Sequence, residues 1–205
     1  MPTVFVNPER CIGCLQCEFA CATEHSTTHQ VALAPFELPP PRKRIHVAAG
    51  PRPSTAFPNK CRHCDPAPCQ QVCPTGAIRR DAEHDVVLID GARCIACAMC
   101  AMVCPFDVIT FYALANGAAG RTVAVKCDSC IERLRAGRIP ACVESCKVDA
   151  LVFGDLNEIV AAGRQRETAA VFAATTAADS ARPIPESIVA WRDLGAATAR
   201  AGGTR

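Results

Sequence analysis

The chain carries 16 cysteines in 205 residues, and all of them fall into four groups of four. Cys11, Cys14, Cys17 and Cys21 follow the spacing C-x2-C-x2-C-x3-C, and Cys94, Cys97, Cys100 and Cys104 repeat it, with Pro105 directly after. Cys61, Cys64, Cys69 and Cys73 widen the middle gap to four residues and again end in Cys-Pro, at Pro74. Cys127 and Cys130 form a C-x2-C pair, and Cys142 and Cys146 follow after residues 131–141. No cysteine is left over. Any fold of this chain has to place four thiol quartets, and that requirement outweighs every other preference in the composition.

Three thiolates within seven residues must wrap one compact object, because each points inward from tightly curled backbone. A cubane iron-sulfur cluster meets that geometry, and the C-x2-C-x2-C-x3-C-P run is the bacterial ferredoxin ligand pattern. The fourth thiolate of such a run is expected to start a helix, face away and ligate a neighbouring cluster, so the groups come in pairs. The following Pro then falls in the first helical turn, where a missing N–H costs nothing. Disulfides are a poor alternative, since the local runs offer many competing pairings and no unique framework. Zinc is the stronger one: paired C-x2-C knuckles make structural sites, and a zinc-stapled adaptor would be redox-silent. Zinc accounts for tetrads, but it asks neither for a third Cys at the next x2 step nor for Pro after the fourth.

Length leaves room for one compact domain or two small ones. The 22 Lys plus Arg against 20 Asp plus Glu give a formal charge of +2, which does not suit a nucleic-acid binder. Four oxidised cubanes with thiolate ligands, at about −2 each, would make the loaded protein acidic. The first ten residues lack an export signal, so a reducing cytoplasm is expected, where free thiols persist. The Ala-rich stretch from Ile159 to Ala178 is broken by Arg164, Arg166 and Glu167, so no segment is expected to span a membrane.

The chain repeats itself. Val4-Phe5-Val6 leads to Cys11 as Val87-Leu88-Ile89 leads to Cys94, a shift of 83 positions, and Val123-Ala124-Val125-Lys126-Cys127 is a shorter echo. Cys73 to Ile78 likewise lies over Cys104 to Ile109, and Asp107 to Tyr112 reads as a returning strand. The expected architecture is α+β: two interleaved ferredoxin-like dicluster units, each too small to fold without its metal. Residues 1–21 with 113–154 form one, 61–112 the other, 22–60 a Pro-rich insertion, and 155–205 an Ala-rich helical extension. Within that extension Asp155 to Glu158 looks like a capped start running to Ala162, with Gly163 a weak point, and Glu186 to Ala199 a further helix before a frayed tail. Arg42-Lys43-Arg44 reads as a solvated charge run, with docking of an acidic partner as the alternative.

The order of group types, the segment CRHCDPAPCQQVCP from Cys61 and the long gap in the fourth group resemble the four-cluster iron-sulfur subunits of the dimethyl-sulfoxide reductase and formate hydrogenlyase family, over roughly Thr3 to Leu156. The run CIGCLQCEFACATEHS, from Cys11 to Ser26, and the later PPPRKRIHV look most similar to the iron-sulfur electron-transfer proteins of anaerobic carbon-monoxide dehydrogenase. The resemblance implies four 4Fe-4S clusters. Cys11, Cys14, Cys17 and Cys146 would hold one, and Cys127, Cys130, Cys142 and Cys21 its neighbour. Cys61, Cys64, Cys69 with Cys104, and Cys94, Cys97, Cys100 with Cys73, would hold the other two. Where relatives carry Pro after the fourth Cys, this chain has Ala22 and Lys147.

Every cluster would then own a full thiolate set, which leaves no iron open for substrate. No dinucleotide fingerprint or P-loop is present, and positions 24, 76, 107 and 149 hold Glu24, Gly76, Asp107 and Asp149, which rules out the radical-enzyme spacing C-x3-C-x2-C. A non-catalytic electron relay is expected. By resemblance its donor is a carbon-monoxide dehydrogenase and its acceptor a membrane-associated hydrogenase. A formate dehydrogenase, another molybdenum or tungsten oxidoreductase, or a hydrogenase is the alternative catalytic partner. The protein would sit in the cytoplasm, or against the inner membrane face through a partner. Arg10, Arg93, Lys126 and Lys147 adjoin ligands and are candidates to stabilise reduced clusters. His63 reads as a packing or outer-sphere residue, and His25, His29, His46 and His84 as structural.

Overall fold

The computed structural model describes residues 2–51, 55–113 and 121–179, with Ala190 and Leu194. Two compact units are distinguished, Met1–Leu156 and Asn157–Arg205. The first holds every cysteine. Its plan is a fourfold recurrence of strand, cysteine loop and short helix, with each strand written in β-branched or aromatic residues that suit a half-buried pleat.

Strand β1 (Pro2–Val6) feeds the first loop and helix α1 (Gln16–Glu24), which carries Cys17 and Cys21. A 3-10 turn at Ala34–Phe36 precedes β2 (His46–Ala49) and β3 (Ala56–Asn59), an antiparallel hairpin with Val47 opposite Pro58. β3 feeds the second loop and α2 (Pro68–Gln71). β4 (Ile78–Asp81) and β5 (Val86–Ile89) pair with Ile78 opposite Ile89, and β5 feeds the third loop and α3 (Met99–Met102). β6 (Thr110–Ala113) pairs with β7 (Thr122–Val125), which feeds the fourth loop, α4 (Ile131–Arg135) and α5 (Ala141–Glu144). β8 (Leu151–Asp155) returns antiparallel to β1, with Val4 opposite Phe153.

Among the described residues the four sheets are each two-stranded, a size that is marginal alone in water. Cysteines are built into each apolar cluster of this unit. Cys94 and Cys100 are buried with Ile78, Val87, Ile109, Val123 and Ala124. Cys21 and Cys142 are buried with Val4, Ile45 and Leu151. A third, small cluster joins Cys61, Val108 and Cys127. The second strand of the β6–β7 pair contributes Val123 and Ala124 to the core of Ile78 and Val87.

Several expectations shift by a turn. In the second, third and fourth quartets the helix ends before the fourth cysteine, so Pro74 and Pro105 do not open helices. Each occupies the second position of a β-turn closed by Gly76 N–H to Cys73 O at 3.2 Å and Asp107 N–H to Cys104 O at 3.4 Å. Pro suits that position because its φ is preset. Gly76, Asp107 and Asp149, which follow their cysteines at equal spacing, all have positive φ, so the turn survives at Lys147 without Pro. At Ala22 it does not: α1 runs on to Glu24. The strand expected from Asp107 begins at Thr110, because Asp107 is left-handed.

The second unit is described by α6 (Leu156–Asp179), which passes through Gly163 unbroken. Ala-rich flanks outweigh the roughly 1 kcal/mol that Gly forfeits against Ala inside a helix. The further helix expected at Glu186 to Ala199 lies outside the described residues, Ala190 and Leu194 apart.

Candidate metal centres

The loops share one backbone device. The residue two places after the first cysteine has positive φ in every group: Gly13 (70°), His63 (51°), Ala96 (54°) and Ser129 (55°). This conformation folds the chain back so that its own amide faces the first sulfur. The N–H groups of His63, Ala96 and Ser129 donate to Cys61, Cys94 and Cys127 Sγ at 3.4, 3.5 and 3.4 Å. Arg44 N–H donates to Cys21 Sγ at 3.2 Å and Ala124 N–H to Cys94 Sγ at 3.4 Å. Amides aimed at sulfur stabilise negative charge there, in a thiolate or in a metal–thiolate bond.

The folded chain gathers the sulfurs into sets. Cys61, Cys64, Cys69 and Cys104 line one cavity, walled by Val87, Val108 and Ile109. Cys73, Cys94, Cys97 and Cys100 line a second, against Ile78, Phe111 and Ala124. Burial pushes the Cys142 thiol well up, and neighbouring Cys127, Cys130 and Cys21 push it further. Burial likewise raises Cys130 to about 12. Cys17 is raised to about 11 by burial, with Cys11 and Cys146 beside it. Cys14 and Cys97 are the exposed members; the other fourteen are at least partly buried.

The sets also have an order. Cys69, Cys73, Cys94, Cys100 and Cys104 pack into one apolar cluster, Cys61, Cys104 and Cys127 into another, and Cys17, Cys21, Cys142 and Cys146 into a third, while Cys17 and Cys21 share α1 one turn apart. The sequence of sets therefore runs from that of Cys97, through those of Cys61 and Cys127, to that of Cys14.

Charged side chains hold this arrangement. Asp128, just after Cys127, accepts from His25 Nε2 at 3.0 Å, from Arg44 and from Cys130 N–H at 3.0 Å. Burial would raise its carboxyl, yet the His25 hydrogen bond and charge, Arg44 and the Cys130 amide hold it well below the usual range. Arg133 is buried and bridges Glu24 of α1 to Glu144 of α5, while donating to Ile139 O at 2.7 Å. Within the Arg42-Lys43-Arg44 run, Arg42 is exposed and lies 5.0 Å over the Tyr112 ring, Lys43 pairs with Glu18, and Arg44 pairs with Asp128.

Of the four basic neighbours expected to matter, Arg10, Arg93 and Lys147 are exposed and Lys126 is buried. Lys60, not singled out by the sequence reading, is 1 % exposed. The signal was there as a repeat, since each group's first cysteine follows a basic residue, Arg10, Lys60, Arg93 or Lys126. His63 accepts Val87 N–H on Nδ1 at 3.1 Å, so Nε2 carries the proton and donates to Ser129 Oγ at 2.9 Å. Both ring nitrogens are used within the protein. Burial, then Lys126 and Lys60, push His63 down to about 2, so it is neutral.

The donor set tests what these cavities suit. All sixteen thiols are free, eight of them line the two cavities four apiece, and buried Lys126 lies against one of these. Sulfur-only coordination, apolar walls and surplus internal cation fit an anionic metal–sulfur centre. Comparison with known proteins decides its kind. The family described as "4Fe-4S dicluster domain" matches residues 54–156, which contain the second, third and fourth cysteine groups.

The chain belongs to this 4Fe-4S dicluster family.

Its relatives agree. An "Iron-sulfur protein" of Rhodospirillum rubrum is 40% identical over 160 residues, covering 75% of this chain and 82% of the relative. "Electron transport protein HydN" of Escherichia coli K12 is 37% identical over 181 residues, 82% of this chain and 98% of the relative. "Thiosulfate reductase electron transfer subunit PhsB" of Salmonella typhi is 39% identical over 159 residues, 74% of each chain. The chain is thus an iron-sulfur electron-transfer subunit with a ferredoxin-like fold of small sheets and helices, and it binds 4Fe-4S clusters. Among the described residues, no helix is long and apolar enough to cross a membrane.

Proposed function

We propose that the chain carries single electrons through four 4Fe-4S clusters between a catalytic oxidoreductase subunit and a second redox protein. Cys11, Cys14, Cys17 and Cys146 would hold one cluster, and Cys21, Cys127, Cys130 and Cys142 the next. Cys61, Cys64, Cys69 and Cys104, then Cys73, Cys94, Cys97 and Cys100, would hold the others. Bound cubanes supply reversible one-electron chemistry with little rearrangement. The protein supplies the thiolates, the amide donors and apolar walls around the more deeply buried cysteines.

The single observation that carries a relay reading is the linear order of the sets, with a solvent-exposed cysteine at each end. Cys14 is flanked by exposed Ile12, Leu15 and Phe19, and Cys97 by exposed Ile95, Met99 and Met102. Ile12 and Ile95, like Phe19 and Met102, stand 83 positions apart, the shift of the sequence repeat. Two apolar collars around two terminal sets suit two protein partners, whereas an enzyme would need one site for substrate.

As catalytic partner we favour an anaerobic carbon-monoxide dehydrogenase, with a membrane-associated hydrogenase as acceptor. The run from Cys11 to Ser26 supports this choice. The likeness to a thiosulfate reductase electron-transfer subunit supports the alternative of another catalytic oxidoreductase as partner. Purified oxidised protein should bleach anaerobically when mixed with carbon-monoxide dehydrogenase and carbon monoxide, at a rate that saturates with protein concentration. Full bleaching by dithionite with none by that pair would remove the preferred partner.

A further inference from the structure

The seam between the two central sets contains an arrangement that ligation alone does not explain. Lys60 and Lys126 are 1 % and 4 % exposed, and among the described residues neither has a carboxylate within ion-pair distance. Lys60 Nζ donates to Cys61 O at 3.0 Å; Lys126 Nζ donates to Cys127 O at 3.1 Å and to Val87 O. An ammonium has three donors, so each retains capacity that backbone carbonyls do not use. Burying such a charge without an opposite one is costly.

The two lysines are also crossed. Lys126 precedes Cys127, yet it lines the cavity of Cys61, Cys64, Cys69 and Cys104. Lys60 precedes Cys61 and donates to its carbonyl, and Cys61 shares a buried apolar cluster with Cys127 of the neighbouring set. His63 and Ser129 hold equivalent loop positions and meet across the same seam. His63 is neutral, and Asp128, the nearest acid beside Cys127, is already occupied by His25 and Arg44. The lysines are therefore the unbalanced charges of the seam.

We propose that Lys60 and Lys126 are reciprocal counter-charges for the two central clusters. Each extends from one half of the chain and stabilises the reduced, more negative state of the cluster held mainly by the other half. Lys126 serves the set of Cys61, Lys60 the set of Cys127, and both raise the potential of their target relative to the outer clusters. This rests on the cluster assignment above. The exposed Arg10, Arg93 and Lys147, equally close in sequence to a ligand, are screened by water and do little.

The test is an anaerobic redox titration of the purified full chain, followed by paramagnetic resonance, with iron and sulfide assayed on each sample. Glutamine keeps a donor for the carbonyls and removes the charge. Lys126→Gln is expected to lower the equilibrium constant for reducing one cluster at least tenfold, which for one electron is about 59 mV. Lys60→Gln is expected to do the same to a different cluster, and the double variant to both, with two potentials unmoved. Lys147→Gln should leave all four unchanged. Cys14→Ser and Cys97→Ser identify the outer signals, and the shifted ones must not be among them. Should a glutamine variant lose iron, Lys→Met, which preserves the stem, is titrated in its place. Full iron with unmoved potentials, or a uniform shift of all four, would overturn the proposal. A wild-type chain without iron would instead overturn the cluster assignment.

Discussion

Replacing Asp128 by Asn tests how the fourth loop is held to the N-terminal helix. The Asp128 carboxylate ties three elements: His25 at the end of α1, Arg44 before β2, and the amide of Cys130. Asn preserves shape and one acceptor but presents an NH2 group where Arg44 now finds an oxygen. Lost charge-assisted hydrogen bonds are worth about 1.5 to 3 kcal/mol each, and stranding a buried ion costs about 3 to 5. Arg44 retains 26% side-chain exposure, so water repays part of its loss, and the expected cost is about 2 to 3 kcal/mol. For a chain of this size that corresponds to a melting temperature lower by roughly 4 to 12 °C. The assay is an anaerobic thermal melt followed by far-ultraviolet dichroism and visible bleaching together. The pH dependence has a definite sign. A carboxyl held below its ordinary value contributes fully above its unfolded pKa, about 3.9, and loses its contribution only as pH falls towards the depressed folded value. The gap between wild type and Asp128→Asn should therefore be present at neutral pH and shrink as pH falls below about 4. Melting within a degree of wild type, or a gap that appears only on raising pH through 6, would refute this account of the clamp.

Arg133→Met should cost about 3 to 5 kcal/mol in denaturant titration, since it leaves Glu24 unpaired beside α1; Arg133→Lys should recover only part, lacking the fork that reaches Glu24, Glu144 and Ile139 together. At Gly76, φ is +59° and an added Cβ would meet Arg93 at 3.3 Å, so Gly76→Val should destabilise by at least about 1 to 2 kcal/mol. Gly76→Asp should cost less by the same titration, because Asp107 and Asp149 already hold the equivalent turns. Loading apoprotein with iron and sulfide should release protons measurably at pH 7. Thiols must lose their protons to ligate metal, and absence of proton release would contradict thiolate ligation.

Much of this architecture was legible because cysteine spacing is a local geometric demand. The strands at Val4, Val87 and Val123 could be placed from β-branched runs just before each loop. β3 could not, because Pro58 within it argues against a strand, and only its pairing with β2 rescues it. Helix positions were shifted because the Cys-Pro step suits a helix start and a β-turn equally, and the left-handed Gly76 and Asp107 that decide between them are tertiary facts. Lys126 was readable as a neighbour of Cys127, but not as a residue lining the cavity of Cys61, since adjacency in sequence says nothing about where a long side chain ends. The role of Arg44 was equally hidden: its partner Asp128 is 84 positions away.

Electron capacity tests the central claim most directly. Anaerobically purified protein, titrated with a reductant of known strength, should accept about four electrons per chain and contain about 16 iron and 16 sulfide atoms, one electron and one cube per thiol quartet. A colourless protein that takes up zinc in place of iron, or one that accepts no electrons when fully loaded, would contradict it.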